Sequence, residues 1–217
     1  MKQKAVFLQS EGDSWISRNK QALASIKLPD DDALLREILE LPLSNIGKVK
    51  VLEIGCGDGT RLNWIKNHMD ADCYGIDPSA QGVSAACAKG INAYQGTADK
   101  LPFKNKFFDI VIFGFCLYLC DREDLFKIAS ETDRVLRAPG WLMILDFYSP
   151  LQRENHYHHY EGLKSYKMNY PTLFTWHPHF ESMTHKVRLR SQKKYTDNQD
   201  EWVSVSVLRK CKLDVIK

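Results

Sequence analysis

Residues Val49–Leu62 read V-K-V-L-E-I-G-C-G-D-G-T-R-L. Val49, Val51, Leu52 and Ile54 put apolar side chains on both sides of an extended segment, the pattern of a central parallel strand. Gly55, Gly57 and Gly59 follow at alternate positions, and Thr60 to His68 reads as a helix. A glycine turn between a buried strand and a helix lets the backbone approach a ligand closely, at a helix end that favours anions.

Downstream, Cys73 to Ile76 predicts a short second strand that ends at Asp77-Pro78. Ser79 suits the cap of a helix running to Lys89, and Gly90 suits its stop. Ile91 to Tyr94 predicts a third strand, Gly96 to Pro102 a polar loop, and Phe108 to Phe113 a strongly apolar fourth strand. Asp121 is placed to cap a helix bearing Leu125, Ile128, Ala129, Val135 and Leu136 at helical spacing. Ala138-Pro139-Gly140 turns into a fifth strand, Trp141 to Phe147. Lys186 to Lys194 and Trp202 to Lys210 predict an antiparallel hairpin around Asp197–Asp200. Upstream, Ser14 to Leu23 suits a short helix. A clearer one opens at Pro29-Asp30, carries Leu34, Leu35, Ile38, Leu39 and Leu41, and stops at Pro42.

The alternation predicts an α/β fold: a Rossmann-like, doubly wound, mostly parallel seven-stranded sheet with an antiparallel C-terminal hairpin. At 217 residues the chain fits one domain, 1–217, with an N-terminal cap segment (1–28) and a substrate-covering insertion (148–181). The net charge of +3 is too mild to argue for a nucleic-acid binder. The six cysteines, Cys56, Cys73, Cys87, Cys116, Cys120 and Cys211, form no C-x-x-C pair and read as reduced core thiols. The N-terminus lacks the apolar core of a signal peptide, and no apolar run approaches membrane-spanning length, so the expectation is cytoplasmic, with no membrane partner.

The glycine spacing separates two nucleotide chemistries. A dinucleotide fingerprint is G-x-G-x-x-G, and Thr60 stands where its third glycine belongs. Glu53, just before the turn, suits a ligand end carrying a cationic amine better than a pyrophosphate. The stretch E-I-G-C-G-D-G-T, residues 53–60, resembles motif I of the class I S-adenosylmethionine-dependent methyltransferases, of the type 11 kind and the small-molecule branch. G-T-A-D-K-L-P-F (96–103), F-D-I-V-I-F-G-F (108–115) and V-L-R-A-P-G-W-L-M-I (135–144) resemble later motifs in the expected order, over about residues 47–147.

The resemblance implies S-adenosylmethionine as cofactor and S-adenosylhomocysteine as product. It implies a cofactor site of Glu53, Gly55, Cys56, Gly57 and Gly59, of Asp77 and Pro78, of Ala98 and Asp99, and of Gly114. Asp77 would accept from both ribose hydroxyls. The Ala98 N–H would face the adenine ring and Asp99 would accept from its amino group. The chain departs from branches that methylate exocyclic nitrogens or cytosine carbon 5, because G-F-C-L-Y-L after the fourth strand has neither a Pro-Pro-aromatic nor a Pro-Cys motif.

Methyl transfer is an in-line displacement, so the protein must align the nucleophile and exclude water. An alcohol also needs a base, whereas a neutral amine does not. H-Y-H-H-Y (156–160) supplies candidate bases in His156, His158 and His159, with Tyr118 as a further candidate. A packing role and a metal role remain open for these histidines, and no metal site is assigned. Residues 7–20 and 161–170 loosely resemble enzymes of bacterial surface-sugar biosynthesis, which implies a small-molecule acceptor such as an oxygen of a sugar or sugar nucleotide. Arg18, Arg153, Lys164 and Lys167 would meet its anionic group. The alternatives are an RNA methyltransferase using Lys186, Arg188, Arg190, Lys193 and Lys194, and a non-catalytic cofactor-binding module. A nicotinamide oxidoreductase has the wrong glycine spacing. Oligomeric state is left open.

Overall fold

The structure, a computed structural model, describes residues 2–43, 47–189 and 195–212. A helical run opens the chain: α1 (Gln3–Val6), a π-helical stretch (Phe7–Glu11) and α2 (Gly12–Ala24). Then come α3 (Ala33–Leu39), β1 (Val49–Ile54), α4 (Thr60–His68), β2 (Ala71–Asp77), α5 (Ala80–Ala88), β3 (Asn92–Gln95) and β4 (Phe108–Gly114). After α6 (Leu125–Val135) and β5 (Leu136–Phe147) lie the hairpin β6 (Arg153–His156) and β7 (Lys164–Lys167), then α7 (Thr172–Thr175), β8 (Phe180–Leu189) and β9 (Trp202–Lys210).

The seven-stranded sheet has the order β3-β2-β1-β4-β5-β9-β8. The first five strands are parallel; β9 runs antiparallel to β5, and β8 to β9. The chain is a Rossmann-like α/β fold, as expected. Successive residues of β1 and β4 alternate between two cores. Val51, Ile110 and Ile112 pack on one face with Leu34, Leu35, Leu62 and Ile65 from α3 and α4. Leu52, Val111 and Phe113 pack on the other with Leu125 and Ile128 of α6 and Phe174 of α7. Burial on both faces is why these strands read as unbroken apolar runs. All six cysteines are free thiols. No helix among the described residues is long and apolar enough to cross a membrane.

Four local expectations are corrected. The helix expected at Ser14 belongs to a run that begins at Gln3, because distant partners hold its first turn. The carboxylate of Asp121, expected to cap α6, accepts instead from the backbone N–H of Gln3 (2.8 Å) and Lys4 (3.0 Å). The helix expected to open at Pro29-Asp30 starts at Ala33; Asp32 caps it and accepts from the N–H of Leu34 and Leu35. The penultimate strand starts at Phe180, six residues before Lys186, since pairing with β9 continues to Lys210. Arg190, Lys193 and Lys194 of the basic stripe lie outside the described residues.

Candidate active site

The floor of the site is the carboxyl edge of β1, β2 and β4. Gly55 follows β1 with φ +76°, and a Cβ there would lie 2.5 Å from Cys116 Cβ. Only glycine combines that backbone with that approach. Gly57 donates its N–H to Asp77 at 2.8 Å, and the other Asp77 oxygen accepts from Ser79 N–H, also at 2.8 Å. Burial pushes the Asp77 carboxyl up to about 6 against those two hydrogen bonds. The acid that ends β2 therefore shapes the glycine turn itself.

Glu53 is buried at the end of β1 and its Oε1 accepts from the Arg61 guanidinium, whose Nε bonds Asp32 at 2.8 Å. Burial pushes Glu53 up to about 7, opposed by Arg61. Its Oε2 is buried with no hydrogen-bond partner. At Gly114 a Cβ would lie 2.5 Å from Arg61 Nη1, so a side chain there would displace the guanidinium. Asp99 accepts from Thr97 Oγ1 at 2.7 Å and from Lys4 Nζ at 2.6 Å. Burial would raise it, but Lys4 and Thr97 hold it below the usual carboxylate range.

The roof is the N-terminal helical run. Lys4 Nζ also pairs with Asp124 at 2.6 Å, so it ties α1 to two carboxylates of the core. Gln3 Nε2 donates to Leu119 O, and its side-chain oxygen accepts from Lys164 N–H. Buried Glu11 is held by Arg18 and by the Tyr157 hydroxyl, 2.8 Å away. A Cβ on Gly12 would lie 2.9 Å from Ser79 N, so the helix crosses directly over the Asp77-Pro78 loop. Asp13 accepts from Ser79 Oγ (2.6 Å) and Gln81 N–H (3.0 Å) and so pins α2 to the start of α5.

Roof and floor enclose a cavity of about 440 Å³. It is lined by Glu53, Gly55, Cys56, Gly57, Asp77, Pro78, Ala98, Asp99, Gly114 and Tyr118, which the sequence singled out. Gly59 is not brought to it: it caps α4 at φ +71°, and a Cβ there would lie 2.8 Å from Ala86 Cβ, so it serves the packing of α5. His156, His158 and His159 are not brought to it either. They are exposed on β6 and the turn beyond, where only Tyr157 of that segment points inward. The three histidine candidates thus stand apart from the cavity, and of the candidate bases Tyr118 alone lines it.

The covering role expected of 148–181 also falls elsewhere. No residue of that segment lines the cavity. Its Tyr157 and Leu163 pack with Val6 and Phe7 and buttress the roof from outside, while Tyr170, Leu173 and Phe174 join the core beneath the sheet. The sequence reading also passed over Lys4, Trp15, Asp32, Arg61, Phe115 and Phe147, all of them lining residues. Only Arg61 carried a local signal, in the first turn of the helix after the glycines. Phe115 has φ +54°, an unusual conformation for a bulky residue, immediately after β4. Behind it, buried Asp146 accepts from the N–H groups of Cys116 (3.2 Å), Leu117 (2.8 Å) and Phe147 (2.8 Å) and fixes the turn beneath Tyr118. Burial lifts Asp146 to about 7 against those bonds.

Residues 52–144 match the methyltransferase domain family. The chain is 30% identical over 131 residues to a fatty-acid O-methyltransferase of Mycolicibacterium smegmatis, covering 56% of this chain and 47% of that one. It is 29% identical over 115 residues to a sarcosine/dimethylglycine N-methyltransferase of Aphanothece halophytica, covering 49% and 39%. The chain spans less than half the length of these curated relatives. The fold of the Burkholderia thailandensis 1,6-didemethyltoxoflavin-N1-methyltransferase, solved with 1,6-didemethyltoxoflavin and S-adenosylhomocysteine, superposes with a TM-score of 0.70 at 17% identity, over 96% of this chain and 89% of that one. Residues 52–144, a little under half of the chain, are thus similar in sequence to methyltransferase domains.

Proposed function

We propose that this protein moves a methyl group from S-adenosylmethionine to a small-molecule acceptor held between the N-terminal helix and the ends of β4 and β5. The observation that carries this is the convergence of Glu53, Asp77 and Asp99 on one roofed cavity behind a glycine turn. The residues fit the cofactor. The unpartnered buried Oε2 of Glu53 suits an ammonium donor, and leaving it unmatched costs about 1–3 kcal/mol. Each Asp77 oxygen has one hydrogen bond from the backbone and a lone pair left for a ribose hydroxyl. The missing side chain at Gly57, where a Cβ would meet only Ile16 Cδ1 at 3.4 Å, leaves room for the ligand against the backbone.

When bound, the cofactor supplies an activated methyl on a sulfonium. The protein's share is positioning and dehydration. Glu53 and Arg61 would hold the amino-acid end, Asp77 the ribose, and the Gly96–Asp99 loop the adenine. Phe115, Tyr118 and Phe147 present an aromatic wall on the acceptor side; the Tyr118 and Phe147 rings are 4.8 Å apart. The α2 helix keeps water from the reacting centre.

The finer expectation of a sugar oxygen rests on residues 7–20 and 161–170, and the cations invoked for it have other partners. Arg18 is paired with Glu11, Arg153 with Asp200 and Lys164 with Glu154. Likewise Lys186, from the stripe that suggested RNA, is paired with Glu37 at 2.6 Å. These pairings favour a small acceptor inside the cavity. Calorimetric titration with S-adenosylhomocysteine is the test. Binding at micromolar ligand is expected, and no heat at about 100 µM, a threshold near 5 kcal/mol, would sink the proposal.

A further inference from the structure

The α2 helix and the segment after it carry an apolar stripe that no hydrophobic cluster among the described residues absorbs. Trp15, Ala22 and Leu23 of α2 line the cavity, with Ile26 and Leu28 beyond the helix end. Trp15, Leu23 and Ile26 belong to none of the three hydrophobic clusters among the described residues. Phe115 and Phe147 line the same cavity, with ring centroids 5.3 Å apart. A roofed cavity with such walls suits a ligand with an apolar body.

Its charges narrow the ligand further. The two lining cations are already matched twice over, Lys4 by Asp99 and Asp124 and Arg61 by Asp32 and Glu53. Asp31 adds a lining carboxylate that forms no ion pair among the described residues. No histidine lines the cavity. Among the described residues an anionic acceptor therefore meets no spare cation, and an alcohol meets no imidazole base. An amine needs no cation, and the unpaired Asp31 carboxylate can take the proton of its ammonium form.

We infer that the acceptor is an amine carried on an apolar body, which rests on the methyl-transfer function proposed above. The acidic lining draws in the ammonium form, which gives one proton to the exposed Asp31 carboxylate and through it to solvent. The nitrogen lone pair then forms the N–C bond as the C–S bond of the donor breaks. The C–S electron pair stays on sulfur, and the product leaves as an N-methylammonium.

The experiment compares octylammonium, octanol and octanoate against the full chain saturated with S-adenosylhomocysteine, read by calorimetry and by quenching of Trp15 fluorescence against a Trp15→Phe control. Octylammonium is expected to bind at least about tenfold tighter than octanoate, because like charges are juxtaposed only for the latter. Octanoate or octanol binding as well as the amine, or no binding of the amine, overturns the inference. Asp31→Lys is expected to narrow the amine-to-carboxylate ratio, and an unchanged ratio removes the charge argument. Ile26→Asn is expected to weaken amine and alcohol alike, and unchanged affinity for both removes the apolar stripe. If S-adenosylhomocysteine itself does not bind, methyl transfer falls as well; if it binds and octanoate is preferred, only the amine assignment falls.

Discussion

The floor and the roof of the cavity are built by different means. The floor is continuous chain: a strand, a glycine turn and a helix, with Asp77 contributed by the neighbouring parallel strand 20 residues on. Its geometry comes from backbone hydrogen bonds and from positions where no side chain fits. The roof is a helix placed by side chains from scattered elements. Asp121, Asp99, Asp124, Tyr157 and Ser79 hold it across separations of 66 to 146 residues. A floor built this way tolerates little change, whereas a roof held by several ion pairs and hydrogen bonds can lose one and stay in place.

The largest effect is therefore expected in the floor. Gly55→Ala puts a Cβ into the Cys116 side chain at a positive φ, which should cost about 1–3 kcal/mol from backbone strain alone and more from the clash. Urea unfolding and S-adenosylhomocysteine titration should fall together. A variant of wild-type stability and affinity would mean that the turn is more pliable than drawn here. Asp77→Ala should weaken S-adenosylhomocysteine binding by about 1–3 kcal/mol, and some loss of stability should accompany it because two backbone N–H groups lose their acceptor. Unchanged affinity would remove the ribose assignment.

A pH titration sharpens the same contrast. Both Glu53 and Asp77 have raised pKa values in the folded protein, about 7 and about 6. A raised acid favours the fold while protonated. Their contribution to stability is complete below the ordinary carboxylate range and is lost as pH rises through about 6 to 7. Ligand binding has the opposite sign if the carboxylates must be ionised to accept. Affinity should then fall with acidification below pH 7, by at most about tenfold per pH unit for each group. Calorimetry at pH 7.5 and 5.5 measures this, and Glu53→Gln should flatten the upper part of the profile.

Effects in the roof should be smaller. Lys4→Met removes two ion pairs of a partly exposed lysine and should cost about 1 kcal/mol or less. It should appear as faster S-adenosylhomocysteine release in stopped-flow, with little change in unfolding. Slower release would show that Lys4 competes with the ligand for Asp99. The smallest effect belongs to the exposed histidines. Replacing His156, His158 and His159 together by alanine should leave stability and ligand affinity within about 0.5 kcal/mol. A large loss of affinity would bring the β6–β7 hairpin into the site.

The floor was legible because its signals are local. Val51 and Leu52 feed opposite cores, and that requirement shows as an unbroken apolar run. Gly55 and Asp77 are dictated by the turn they build. Gly59 was misplaced for an instructive reason: a glycine spared for ligand approach and one spared for packing on Ala86 look identical in sequence. The roof was not legible. Trp15, Ala22 and Leu23 interrupt any clean amphipathic pattern because that part of α2 faces the cavity. Asp121 looked like a cap for the helix beside it, and nothing near it in sequence pointed to the amides of Gln3 and Lys4.

The sequence by itself determined the parallel sheet, the glycine turn and the acids that converge on it, because strand periodicity and backbone sterics act over a few residues. Only the tertiary structure decided what covers that turn. It brought Lys4 to Asp99, Tyr157 to Glu11 and Asp32 to Arg61, turned the aromatic insertion into an outer support, and left the apolar stripe of α2 facing the cavity. Those choices are set by side-chain partners far apart in the chain. No short-range pattern encodes such pairings, so the roofed cavity is a product of the fold.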